Sequence, residues 1–92
     1  MRVLWSPSSK RDVAGIFDYI HEHNPQAARA VAEAIRQSCH ALRQFPNRGR
    51  PGVSGTRELV ITSFPYIVIY RVRHDAVEIA RVFHAAQNFA AD

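Results

Sequence analysis

Twice within the first 25 residues a capping side chain stands directly before a proline, at Ser6-Pro7 and again at Asn24-Pro25. A serine or asparagine there accepts a hydrogen bond from a free N–H of the first helical turn, and the proline presets φ where no N–H is needed. Each pair predicts a helix start. After the first, Val13, Ile16, Phe17 and Ile20 recur at i, i+3, i+4 and i+7, an apolar stripe with Lys10, Arg11, Asp12, Asp18 and Glu22 largely off it. After the second, Ala28, Val31, Ile35, Ser38, Leu42 and Phe45 alternate steps of three and four, predicting a helix to about Gln44 or Phe45 that Pro46 stops. With so few residues between them, the two helices form an antiparallel hairpin.

The rest of the chain reads as β-structure. Residues 3–5 are apolar and predict a short strand ahead of the first helix. Residues 46–56 hold three of the four glycines and two of the five prolines, so they read as a loop, carrying Arg48 and Arg50 without an acidic neighbour in sequence. Beyond it, residues 57–62, 66–73 and 77–84 are rich in Val, Ile, Tyr and Phe and predict an antiparallel meander. The middle run is apolar on both parities, as a central strand requires. A loop pairing Arg73 with Val77 would put Ile67, Ile69, Arg71 and Arg73 on one face with Val77, Ile79, Arg81 and Phe83. Tyr66, Val68, Tyr70 and Val72 would share the other face with Ala80, Val82 and His84. The expected fold is α+β in the order β-α-α-β-β-β, with the hairpin on one sheet face and the opposite face open for another chain.

At 92 residues the chain is expected to form one domain, residues 1–92, with no room for a second core. One cysteine, Cys39, excludes an internal disulfide framework and a Cys-rich zinc site. No run approaches the length of a membrane span and the start lacks the apolar region of a signal peptide, so a soluble cytoplasmic protein without a membrane partner is expected. The 12 basic and 8 acidic residues leave a net charge of +4. Residues 1–46 and 47–92 each hold six basic and four acidic groups, so no basic tail stands out. All the bases but Lys10 are arginine, whose planar fork suits bidentate contacts with carboxylate or phosphate.

Arg57, Arg71, Arg73 and Arg81 with His84 form the strongest cluster of chemistry-bearing residues. Arg71 and Arg81 stand in otherwise apolar strands, where a guanidinium is costly unless an acidic group or phosphate meets it. His84 ends the last strand, where an imidazole has the chemistry of an acid or base, with Glu58 as an orienting group. His21 and His23 are two residues apart on a helix and diverge, so no metal site is expected there. Cys39 and His40 are adjacent and do not face each other, which leaves Cys39 as small buried filler. Gly49, Gly52 and Gly55 precede a strand, unlike a phosphate-binding loop. No cofactor is expected.

The ordered set Ser6-Pro7 through Asp12, Ile16, Asp18-Tyr19-Ile20, Asn24-Pro25-Gln26-Ala27-Ala28, Gly49-Arg50-Pro51, Arg57-Glu58-Leu59-Val60, Tyr66 to Val72 and Val77 to His84 resembles the ParE/RelE superfamily. These are toxins of bacterial type II toxin–antitoxin modules, often labelled plasmid stabilisation proteins. The resemblance covers nearly the whole chain. It implies a cognate antitoxin, ParD-like, whose C-terminal segment wraps the toxin and whose DNA-binding domain alone reaches operator DNA. An acidic segment of that kind would meet Arg57, Arg71, Arg73, Arg81 and His84.

Within the superfamily, ribosome-dependent messenger RNA endoribonucleases like RelE place an arginine after the tyrosine that opens the central strand, and basic or tyrosine groups past the last strand. This chain has Ile67 in the first place and Ala85, Ala86 and Gln87 in the second. The resemblance therefore implies a ParE-like inhibitor of DNA gyrase, in which no side chain performs chemistry. The alternative expectation is a metal-independent endoribonuclease using Arg57, Arg81 and His84, and a third is a nontoxic, antitoxin-bound regulator.

Overall fold

A computed structural model describes residues 1–61 and 63–86. Its elements run β1 (Arg2–Trp5), α1 (Pro7–His21), α2 (Pro25–Ala41), β2 (Arg50–Pro51), β3 (Arg57–Val60), β4 (Tyr66–Arg73) and β5 (Ala76–His84), with a single 3₁₀ turn at Val53–Gly55. Both helix starts form as capped. The Ser6 Oγ accepts from the Ser9 N–H at 3.0 Å, and the Asn24 Oδ1 accepts from the Ala27 N–H at 3.0 Å. The Ser6 hydroxyl also donates to the Ala80 carbonyl at 2.9 Å, which pins the entry to α1 against β5.

The five strands make one mixed sheet in the order β1-β5-β4-β3-β2, with β1 parallel to β5 and every other pair antiparallel. The sheet therefore has one strand more than the expected N-terminal strand and three-stranded meander. The addition is β2, where Arg50 and Pro51 of the predicted loop pair with Glu58 and Arg57. A two-residue edge strand carries no readable alternation, and its proline lacks a donor that an edge position does not need. The α2 helix ends at Ala41, short of the predicted Gln44 or Phe45, because the following turns tighten to bonds such as Leu42 N–H to the Cys39 carbonyl. Phe45 thus leaves the stripe and lies half exposed.

The β4–β5 register corrects the sequence expectation. The loop is the two residues His74 and Asp75, with His74 at φ 53°, so Arg73 pairs with Ala76 rather than Val77. A bulge then takes up one residue: Tyr70 faces Ile79 and Ile69 faces Arg81, leaving Ala80 extra. Before the bulge Val77 and Ile79 join Tyr70 and Val72 on the helix side. Beyond it the predicted pairs hold, Ile67 with Phe83 and Val68 with Val82.

Both helices lie on one face. The core is Val31, Ile35, Cys39 and Leu42 of the α2 segment against Leu59, Val68, Tyr70, Val77, Ile79 and Val82 of the sheet, with Val13, Ile16 and Ile20 of α1 packed at its margin. Burying each large side chain of this kind is worth about 1.5–3 kcal/mol. The other face carries Leu4, Val60, Ile67, Ile69, Arg71 and Glu78, of which Leu4 and Val60 are exposed. Phe83, on that same face by register, is nonetheless buried.

Candidate functional site

The four strand arginines do not share one surface. Arg57 opens β3 opposite Tyr70, so it stands on the helix side, next to the edge strand β2. Its Nη1 donates to the Gly49 carbonyl at 2.7 Å and more weakly to that of Asn47 at 3.4 Å. Tyr70, fully buried, completes the same corner: its hydroxyl donates to the Pro46 carbonyl at 2.7 Å and accepts from the Gly49 N–H at 2.9 Å. Strand and loop are thus stitched together by one phenol and one guanidinium.

Arg71 and Arg73 occupy the open face. Arg71 donates through Nη2 to the Ser54 carbonyl at 3.2 Å, and Arg73 stands 3.7 Å from the Glu78 carboxylate. The second is an exposed contact of little energetic weight. Arg81 behaves differently. Just past the bulge, its Nε and Nη2 reach Asp12 of α1 at 2.8 and 3.1 Å, and Asp12 also accepts from the Val82 N–H at 2.9 Å. The hydrogen bond to Asp12 pushes the Arg81 pKa up.

His84 is exposed at the end of β5, its ring edge-on to Tyr66 at 5.3 Å and its Nδ1 accepting from the Ala86 N–H at 3.0 Å. Arg57, Arg81 and His84 lie opposite Tyr70, Ile69 and Tyr66 respectively. Four strand steps separate the first from the last, about 13 Å along β4. Ala85 and Ala86 follow His84, and Gln87 lies outside the described residues.

The remaining reactive types are accounted for by packing. Cys39 is fully buried, and burial pushes its thiol up to about 12, away from the thiolate a nucleophile needs. His40 points elsewhere, 3.1 Å from Arg43. His21 stacks on Phe17 at 5.3 Å. Among the described residues no three His, Cys, Asp or Glu side chains gather as a metal-binding group.

Two features escaped sequence reasoning. Arg50, with no acidic residue beside it in the chain, holds Glu58 across the β2–β3 pair at 3.1 Å. A groove of about 790 Å³ also opens along the hairpin, walled by Trp5, Val13, Ala14, Phe17, Ala32 and Ile35. Trp5 and Phe17 gave the available signal, because aromatics at the margin of an amphipathic stripe leave apolar surface that the hairpin alone does not cover.

A family model described as "ParE toxin of type II toxin-antitoxin system, parDE" matches residues 3–89. The chain is 40% identical over 89 residues to "Putative toxin Y4kP" of Sinorhizobium fredii (strain NBRC 101917 / NGR234), a match covering 96% of this chain and 92% of that one. It is 35% identical over 86 residues to "Toxin RelE2" of Caulobacter vibrioides (strain ATCC 19089 / CIP 103742 / CB 15), covering 94% and 97%. The fold superposes on a chain of "Chromosomal ParDE TA system from P. aeruginosa" with a TM-score of 0.84 at 26% identity, covering 91% and 95%. A toxin of such a module works against an antitoxin partner. With its capped hairpin, its mixed sheet and these matches along nearly its whole length, the chain belongs to the ParE toxin family of type II toxin–antitoxin systems.

Proposed function

We propose that this toxin binds DNA gyrase and stabilises its cleaved-DNA state, in the bacterial cytoplasm, until a ParD-like antitoxin covers it in a hetero-oligomer that reaches operator DNA only through the antitoxin. The observation that carries this reading is the separation of Arg57 from Arg81 and His84. Cleaving RNA needs a cation at the phosphate and a proton-transfer group on the same few atoms. Here Arg81 is gripped by Asp12, while Arg57 and His84 stand four residue steps apart along β4, opposite Tyr70 in its middle and Tyr66 at its start. A toxin that acts by binding needs no such convergence.

Two surfaces fit the antitoxin. Arg71 and Arg73 on the open face suit an acidic segment, and the hairpin groove suits the apolar stripe of a helix, the groove-docking mode of peptide recognition. Arg81 and His84 border a second groove against Gly15, Ile16 and Tyr19 of α1, where the same segment would continue. Arg57 lies at the far margin of this path.

The test is purified toxin with gyrase, relaxed plasmid and ATP. Supercoiling is lost and cleaved DNA accumulates if the reading holds; folded toxin that leaves both unchanged overturns it. A ribosome-dependent endoribonuclease is the second reading, supported by the name RelE borne by the Caulobacter relative at 35% identity. Primer extension on translating messages separates the two, since only the second gives codon-linked cuts.

A further inference from the structure

Basic and acidic groups are evenly spread along the sequence but not in space. Towards the end of the sheet where β4 turns into β5 stand Arg2 of β1, Arg71 and Arg73 of β4 and, on the helix side, Arg57 of β3. The turn after α2 adds Arg43, whose Nε donates to the Met1 carbonyl at 3.3 Å, and Arg48, which follows the Pro46 carbonyl that Tyr70 holds. Six arginines meet two acids there, Asp75 and Glu78. That rim alone carries the whole excess of +4.

Its guanidiniums also keep most of their charge. Arg36 and Arg81, away from the rim, each grip a carboxylate through two nitrogens. On the rim Arg43, Arg57 and Arg71 hold backbone carbonyls, and Arg48 lies over the exposed Phe45 ring at 5.2 Å. A carbonyl orients a guanidinium and leaves its full charge in place. The rim's ion pairs, Arg2–Asp75 and Arg73–Glu78, are long, at 3.6 and 3.7 Å.

We propose that this arginine rim binds the phosphate backbone of duplex DNA, and that in the gyrase complex, whose identity rests on the function proposed above, it grips the DNA that the topoisomerase holds. The row spans four strands, about 14 Å, and its guanidiniums outnumber its carboxylates three to one. Guanidinium forks match phosphate oxygens bidentately. An acidic peptide confined to the rim, without the hairpin groove to bury its apolar side chains, fits less well, because a segment that orders on binding needs apolar burial to offset its entropy and the rim's exposed large apolar side chains are Met1, Phe45 and Val53. Phosphate needs charge alone, and such contact is steeply salt-dependent.

The experiment titrates the full chain into a fluorescein-labelled 24-base-pair duplex of mixed sequence at 50, 100 and 200 mM salt, read by anisotropy. Arg43→Gln/Arg48→Gln/Arg73→Gln is compared with Lys10→Gln/Arg11→Gln/Arg29→Gln, which removes equal charge from the helices. The rim variant is expected to bind at least about tenfold more weakly at 100 mM and to lower the salt slope by about three, and the helix variant to stay within about twofold. Equal losses in both variants, wild-type binding that ignores salt, or tighter binding of a single-stranded RNA or an acidic peptide of equal charge would each overturn the inference. Should the triple variant melt early, Arg48→Glu serves instead, since that side chain is exposed over the Phe45 ring; unchanged DNA affinity then counts against the rim. The gyrase assay keeps the two readings apart. A rim variant that traps cleaved DNA as well as wild type overturns the DNA contact alone, and a wild type that binds duplex without affecting gyrase leaves the rim standing while the target reading fails.

Discussion

The Asp12 carboxylate takes two hydrogen bonds from the Arg81 guanidinium, 69 residues away in sequence, and a third from the Val82 backbone N–H. One side chain on α1 thereby fixes the bulged stretch of β5 against the hairpin. The two partners are unequal, because Asp12 is the less exposed and serves a backbone donor as well. Asp12→Ala is expected to cost about 2 kcal/mol, since it strands the Val82 N–H, and Arg81→Ala about 1 kcal/mol. Urea titrations of both single variants and the double variant measure the coupling; equal single costs would contradict the ranking.

Tyr70 and Gly49 make a second dependent pair. The phenol serves a donor and an acceptor of the loop while buried in the core, so Tyr70→Phe leaves both unpaired at an expected cost of about 1–3 kcal/mol. Gly49→Ala is the complementary test. An added Cβ would lie 2.8 Å from the Tyr70 Cε1 and Oη and 2.9 Å from the Glu58 carbonyl, so the loop must move off the tyrosine at about 1–3 kcal/mol. Thermal denaturation reads both, and a neutral Gly49→Ala would refute the close approach.

The alkaline limb of stability follows from Cys39. Burial raises its folded pKa to about 12 from an ordinary 9.0, so between those values the folded protein retains a proton that the unfolded chain has lost. Stability from this group is full below about pH 9 and is lost as pH rises towards 12, by at most about 1.4 kcal/mol per pH unit. The Tyr66 hydroxyl, raised by burial and then by the nearby Tyr19, acts in the same direction. Cys39→Ala is expected to be less stable at pH 7 yet to show a shallower decline above pH 9 in urea titrations. A thiol reagent at pH 8 should label wild type only after unfolding.

What the sequence disclosed depended on how local each signal was. Ser6-Pro7 and Asn24-Pro25 act within one helical turn, and both caps form where the pattern placed them. The three later strands were legible from apolar runs for the same reason. The bulge at Ala80 was not, because alternation on either side of it looks regular until one inserted residue swaps the faces of Val77 and Ile79. Likewise Arg81 looked like an unmatched cation on a strand. Its partner Asp12 reads as a solvated residue of the helix's polar side, and only the packing of α1 on β5 brings them together. The charge rim was hidden by an even distribution along the chain.

Gly15 offers a substitution of opposite sign. It is exposed in the middle of α1, its φ is not in the left-handed region, and a Cβ built on it meets nothing within 4 Å. Gly15→Ala should therefore stabilise the toxin by about 0.5–1 kcal/mol through reduced backbone entropy in the unfolded chain. A rise of a few degrees in the melting midpoint checks it; a fall would mean that the helix meets its surroundings more closely than the geometry allows.

Ala14 tests the hairpin groove with little risk to the fold. It lies exposed on α1, at the wall of a groove whose apolar lining is Trp5, Val13, Phe17, Ala32 and Ile35 and whose charged lining includes Arg29 and Glu33. Arginine is nearly as good a helix former as alanine, so Ala14→Arg is expected to change folding stability by no more than about 0.5 kcal/mol. In the groove the same side chain would force an apolar antitoxin helix either to bury a guanidinium or to lift away from the aromatic walls. Calorimetric titration with the cognate antitoxin should show affinity reduced at least about tenfold. Undiminished affinity in a variant that melts like wild type would move the antitoxin off the hairpin and onto the open face, where Arg71 and Arg73 would then carry its binding.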